Sequence, residues 1–170
     1  MRPYADSNFF TRVYLDLEAG TTEAAALLKL VVPPQSTLLP LTRLHRLEVL
    51  NAFEMTAFQS AKQGQHRITR EAAAIAQATF RDDCREQSFL RLCTPVEAAV
   101  DRQYEELVLR HTAARGLPFG WLSPAGRLRT YDLLHVAQAL ILGCDTFWSF
   151  DEKANALATL EGLTARPSAP

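Results

Sequence analysis

The folds open to this chain are narrowed most by a rhythm: very short strand-like segments recur with one or two helical segments between them. Strand candidates are residues 3–5, 36–39, 89–93, 146–148 and 163–166. Helical patterns cover 7–15, 21–30, 42–62, 69–85, 94–115 and 132–142, and another opens at Ser149-Phe150-Asp151-Glu152. Parallel neighbours need such crossovers, so the pattern predicts an α/β fold with a parallel sheet covered on both faces. Val31-Val32-Pro33-Pro34, Gly64, Gly116 and Gly143 punctuate the helices. Thr94-Pro95-Val96-Glu97 reads as a capping box with proline at the first helical position. Leu44, Leu47, Met55 and Phe58 are expected to form the apolar stripe of the long helix. No repeat or linker divides the chain, which predicts one domain over 1–166 and a frayed tail at 167–170.

A chain of 170 residues, 48% apolar, suits one substantial core. No stretch approaches the roughly 20 apolar residues of a membrane span, and Met1-Arg2-Pro3-Tyr4 lacks a signal-peptide core, so a cytoplasmic protein is expected. Cys84, Cys93 and Cys144 lack zinc spacing and read as buried thiols in a reducing compartment. The net charge of −1 argues against a non-specific nucleic-acid coat. It does not argue against an enzyme that concentrates acids in a site. Lys29, Lys62 and Lys153 are the only lysines. Arginine suits bidentate phosphate contacts, although a compositional bias of the genome explains the same excess.

Four acids stand apart from the folding pattern. Asp6 and Asp151 each follow a strand, Asp132 opens Asp-Leu-Leu-His-Val-Ala, and Glu48 interrupts an apolar helical face. Ligands of open parallel sheets bind beyond the carboxyl ends of the strands, where Asp6 and Asp151 would lie. Four carboxylates gathered there need a counter-charge, and Mg²⁺ or Mn²⁺ with hard oxygen ligands is the natural one. Each acid also has a structural reading. Asp6 can cap the helix that follows. Ser149 and Glu152 can form a capping box, with Asp151 and Asp132 in first turns that favour negative charge. Glu48 lies far from either helix end. A lone carboxylate there is costly unless metal-bound or paired with an arginine such as Arg12 or Arg43.

Tyr-Ala-Asp-Ser-Asn at 4–8, Leu-Glu-Val-Leu around Glu48, Asp-Leu-Leu-His-Val-Ala from Asp132 and Ser-Phe-Asp-Glu at 149–152 resemble the PIN-domain ribonucleases. The layout is similar to the VapC-type toxins of prokaryotic toxin–antitoxin pairs, from residue 3 to about 165. The resemblance implies a three-layer fold, with a central parallel sheet of about five strands and helices on both faces. It implies Mg²⁺- or Mn²⁺-dependent endonuclease cleavage of RNA, with Asp6, Glu48, Asp132 and Asp151 as the metal and catalytic residues. Ser7, Asn8 and Ser149 match supporting positions. A cognate antitoxin and a homodimer are implied as partners. The chain is longer than a minimal member between Gly64 and Arg129, which bears on partner surface and substrate choice.

Among the remaining residues, Arg127 and Arg129 precede Asp132 and are candidate phosphate contacts, or solvated loop charges. Phe119 and Trp121 can stack on bases or anchor the loop. His135 reads as a packing histidine rather than a base. His45, His66 and His111 lack ligand spacing and are expected at the surface. Asp145 reads as a turn residue. The leading expectation is a metal-dependent endoribonuclease acting as a toxin. The alternatives are an RNA-processing nuclease that is no toxin, and an inactive RNA- or protein-binding module. A phosphoaspartyl enzyme is weaker, because no second Asp sits two residues after Asp6.

Overall fold

The computed structural model describes residues 1–15, 21–31, 38–64, 68–113 and 129–167. Arg127, Phe119, Trp121, His66, Gly116 and the tail from Ser168 lie outside the described residues. The chain forms two compact units, Ala5–Cys93 and a second made of Met1–Tyr4 with Thr94–Pro170.

The first unit is built from α1 (Ser7–Tyr14), α2 (Thr21–Leu28), β2 (Leu39–Leu41), α3 (Arg43–Lys62), α4 (Arg70–Glu86) and β3 (Leu90–Leu92). β2 and β3 run parallel, with Leu39 opposite Leu90 and Leu41 opposite Leu92. Of the strand expected at 36–39, residues 36 and 37 lie outside the described residues, and β2 starts at Leu39. Thr69 caps α4 by accepting from Ala72 N at 3.1 Å. Phe9, Phe10, Phe53 and Phe80 are fully buried or nearly so. Their rings meet edge-on or tilted, Phe10 to Phe80 at 6.1 Å and Phe53 to Phe80 at 6.3 Å. Tyr14 joins them at 5.5 Å from Phe80 and donates its hydroxyl to Asp83 at 2.6 Å. Burial, more than the Asp83 charge, pushes its phenol well above the ordinary value.

The inward face of α3 is the opposite of the expected one. His45, Val49, Phe53, Ala57 and Ser60 are buried, while Leu47, Met55 and Phe58 are exposed. The true stripe contains a histidine, an alanine and a serine, so hydrophobicity alone selects the wrong side. His45, expected at the surface, is fully buried. Its Nε2 donates to the Ala5 carbonyl at 2.7 Å. Its Nδ1 accepts from Thr42 N at 3.0 Å and from Thr42 Oγ1 at 2.9 Å. Every ring nitrogen is satisfied in the neutral form, which is how an imidazole is buried cheaply.

The second unit contains most of β1 (Pro3–Ala5), then α5 (Glu97–Val108), a π-helical turn (Leu109–Ala113), α6 (Thr130–Ile141), β4 (Thr146–Trp148), α7 (Glu152–Leu160) and β5 (Thr164–Arg166). The strand order is β1-β4-β5. β4 and β5 are parallel, with Thr146 opposite Thr164, and α7 is their crossover. Among the described residues the sheet β1-β4-β5 has three strands, fewer than the central sheet of about five that was expected, and β2 and β3 form a separate pair. α5 opens on Val96, which makes no side-chain cap bond, so the expected Thr94 capping box does not form and Pro95 precedes the helix. Tyr4, Leu133, Val136, Phe147 and Leu157 belong to this unit's core. The Tyr4 ring stacks on Phe147 at 5.7 Å, and its hydroxyl meets His135 Nδ1 at 2.8 Å and Gln138 Oε1 at 3.1 Å. These bonds tie β1 to the middle of α6. Gly143, at φ +67°, lets α6 turn sharply into β4.

His111, also expected at the surface, is mostly buried and bonds Glu161 at 2.5 Å, with Arg110 on the other oxygen. Of the three cysteines only Cys84 is buried, its thiol pushed up to about 11 by desolvation. Among the described residues, no helix is long and apolar enough to cross a membrane.

Candidate active site

In the first unit, Asp6 follows β1 and occupies the N-cap of α1 in extended conformation. One oxygen accepts from Phe9 N at 3.1 Å, and the residue is only 5% exposed. The helix therefore begins where it does because a carboxylate answers one of its orphan N–H groups. Arg12, one and a half turns on, donates to the Asn8 carbonyl at 3.3 Å. Burial lowers the Arg12 pKa, while the nearby Asp6 charge pulls it back up. Ser7 and Asn8 are half-buried in the first turn. The Ser7 carbonyl accepts from Thr11 Oγ1 at 3.0 Å. Glu48 lies on the flank of α3 between its buried and exposed faces and is half-buried. It does not interrupt a buried apolar stripe, so the full cost of burying a lone carboxylate does not arise there.

The second unit brings Asp132, Asp151 and Arg129 together. Asp132 stands in the first turn of α6, where its Oδ2 accepts from the backbone N–H of Arg129 at 2.9 Å. Asp151 is the N-cap of α7. Its Oδ1 accepts from Lys153 N at 2.9 Å and Ala154 N at 3.3 Å. The expected Ser149–Glu152 capping box is replaced by this arrangement. Ser149, fully buried, instead accepts from Asp151 N at 2.9 Å and fixes the approach to the cap.

The Arg129 side chain spans the two acids. Its Nη2 donates to Asp151 Oδ2 at 2.5 Å, and its Nε lies 3.6 Å from Asp132 Oδ2. Arg129 is 67% exposed, whereas the Asp132 and Asp151 side chains are 13% and 18% exposed. Burial raises the Asp132 pKa, and the Asp151 charge adds to the rise. The Arg129 N–H, the Arg129 guanidinium and His135 oppose it. Two carboxylates at one edge, with retained waters, suffice as hard oxygen ligands for a small divalent ion. Asp132 and Asp151 fit such an ion chemically, with Arg129 as the cation now between them. Among the described residues, no group of three or more His, Cys, Asp or Glu side chains is arranged to hold a metal.

Two residues near these acids were not singled out from sequence. Asn155, one turn into α7, donates to the Ser149 carbonyl at 2.8 Å, and its Oδ1 is buried without a partner among the described residues. Tyr4 orients His135, one turn beyond Asp132. The only sequence signal for either is its spacing from an acid: Tyr4 two before Asp6, Asn155 four after Asp151.

No family model and no curated protein matches the chain. Among solved structures, it is similar to the VapC20 toxin of Mycobacterium tuberculosis, described as a Sarcin-Ricin loop cleaving toxin. The TM-score is 0.61 at 16% identity, over 97% of this chain and 99% of that one. The parallel strand pairs, the helical crossover between β4 and β5 and this likeness agree: the chain has the VapC-like PIN fold.

Proposed function

We propose that this protein is a Mg²⁺- or Mn²⁺-dependent endoribonuclease and the toxin of a toxin–antitoxin pair. The observation that carries the reading is the convergence of Asp132 and Asp151, from two different helix starts, on one cation. Caps alone would not need a shared guanidinium partner. The fold likeness supplies the class of chemistry. By motif match, Asp6, Glu48 and Asp132 are the proposed ligands, with Asp151 assisting. When bound, a divalent cation acidifies a water for in-line attack at phosphorus and offsets charge on the leaving oxygen.

The chain's own groups do the positioning. The Arg129 N–H fixes one oxygen of Asp132 and leaves the other to turn toward a ligand. The N–H groups of Lys153 and Ala154 do the same for Asp151. Arg129, exposed and adjacent, contacts substrate phosphate, joined by Arg127. His135, tied to Tyr4, orients α6 and needs no role as a base. RNA is the substrate, and a hairpin of sarcin–ricin type is the first to try, given the fold's similarity to a toxin that cleaves that loop. A cognate antitoxin and a second copy of the chain complete the proposed assembly.

The capping geometry of Asp6, Asp132 and Asp151 favours one competing reading, a binding module whose acids serve only the helices. Asp6→Asn and Asp132→Asn separate the two, because asparagine caps as well as aspartate but is a far poorer metal ligand. Both variants should fold and lose RNA cleavage and toxicity. An unchanged cleavage rate in either removes that residue from the site.

A further inference from the structure

The Arg129 side chain is anchored on acids that, on the reading above, also hold the metal. It reaches both, at 2.5 Å to Asp151 and 3.6 Å to Asp132, yet it is two-thirds exposed among the described residues. Its backbone is more firmly tied, through the N–H that Asp132 accepts at 2.9 Å. The guanidinium can therefore swing away while its Cα stays at the mouth of α6.

We propose that Arg129 is an internal counter-ion that competes with the divalent cation for Asp132 and Asp151. Without metal, the guanidinium neutralises the two carboxylates. It must leave them for a divalent ion to be held there, and once released it lies beside the site, free to take a substrate phosphate. One side chain thus lowers the resting affinity for metal and raises the affinity for RNA, so that substrate, by drawing Arg129 away, tightens the hold on metal. This rests on the metal-site reading and adds to it a coupling between metal and substrate.

The test is calorimetric titration of Mn²⁺ alone into the full-length parent, Arg129→Met and Arg129→Lys, with Asp132→Asn as the control that removes a ligand. Arg129→Met should bind Mn²⁺ about two- to fivefold more tightly than the parent, the scale expected for loss of an exposed ion pair. Its KM for RNA should rise. Arg129→Lys should stay closer to the parent in both. Far-ultraviolet circular dichroism of each variant shows that a changed affinity is not an unfolded chain. Equal or weaker Mn²⁺ binding by Arg129→Met, with Asp132→Asn binding lost, overturns the competition and leaves the metal site standing. Absence of Mn²⁺ binding in parent and Arg129→Met alike overturns both.

Discussion

Asp151 offers the clearest separation of what the fold needs from what the chemistry needs. Its Oδ1 accepts two N–H groups of α7, at 2.9 and 3.3 Å, while its Oδ2 faces Arg129. Asp151→Ala removes the cap. Losing a good N-cap costs about 1–2 kcal/mol, and the exposed Arg129 pair adds up to about 1 kcal/mol. At this chain length each kcal/mol moves the melting temperature by about 2–4 °C, so a fall of about 2–12 °C is expected. Asp151→Asn keeps an oxygen for Lys153 N and Ala154 N, and should melt within about 2 °C of the parent. RNA cleavage should fall in both, because neither carries a carboxylate. Thermal unfolding of the three proteins in chelator, followed by cleavage with Mn²⁺ restored, reads both effects. If Asp151→Asn melts as low as Asp151→Ala, the carboxylate charge rather than the cap geometry holds α7. If Asp151→Asn cleaves at the parent rate, Asp151 has no part in the chemistry.

Two more expectations follow from the same geometry. Tyr4→Phe keeps the stack on Phe147 but removes the buried hydroxyl between His135 and Gln138, and should cost about 1–3 kcal/mol in denaturant unfolding; a loss below about 0.5 kcal/mol would mean that this bond does not hold β1 to α6. Asp132 carries a raised pKa, mainly from burial, so the native state binds its proton more tightly than the unfolded state does. Its stabilising contribution is present in acid and is lost as pH rises through the native pKa. Asp132→Asn, free of that ionisation, should therefore be the more stable protein at neutral pH, and the advantage should shrink as pH falls into the ordinary carboxylate range. Chemical unfolding at several pH values checks this, and an advantage that grows in acid would reverse the assigned cause.

The alternation of strands and helices was legible because each crossover announces itself by caps and breakers. Asp6 before Ser7 and Gly143 after α6 are such marks. Where the sequence misled, a polar residue was buried with its bonds complete. His45 reads as a surface histidine until Ala5 and Thr42 are known to satisfy both ring nitrogens. With His45, Ala57 and Ser60 inside, the more hydrophobic Leu47, Met55 and Phe58 mark the outer face of α3. Glu48 accordingly lies on the flank of α3 and not within a buried apolar stripe. Asp132 and Asp151 were identifiable as a set with Arg129 nearby, but spacing does not reveal that the guanidinium spans them. That contact depends on two helix starts, 130 and 152, meeting at one edge. Asn155 was invisible because a buried, unanswered oxygen is a property of packing and not of sequence.

The central claim is that these acids hold a divalent cation, and the most direct measurement is the melting temperature of the purified chain against Mn²⁺, with Asp6→Asn alongside. At a metal concentration about a hundredfold above Kd, linkage gives about 2.7 kcal/mol of added stability, or a rise of about 5–11 °C. The parent should show that rise and Asp6→Asn should lose most of it. A parent that does not respond, or a variant that responds equally, would contradict the metal site at Asp6 and leave the fold without its proposed chemistry.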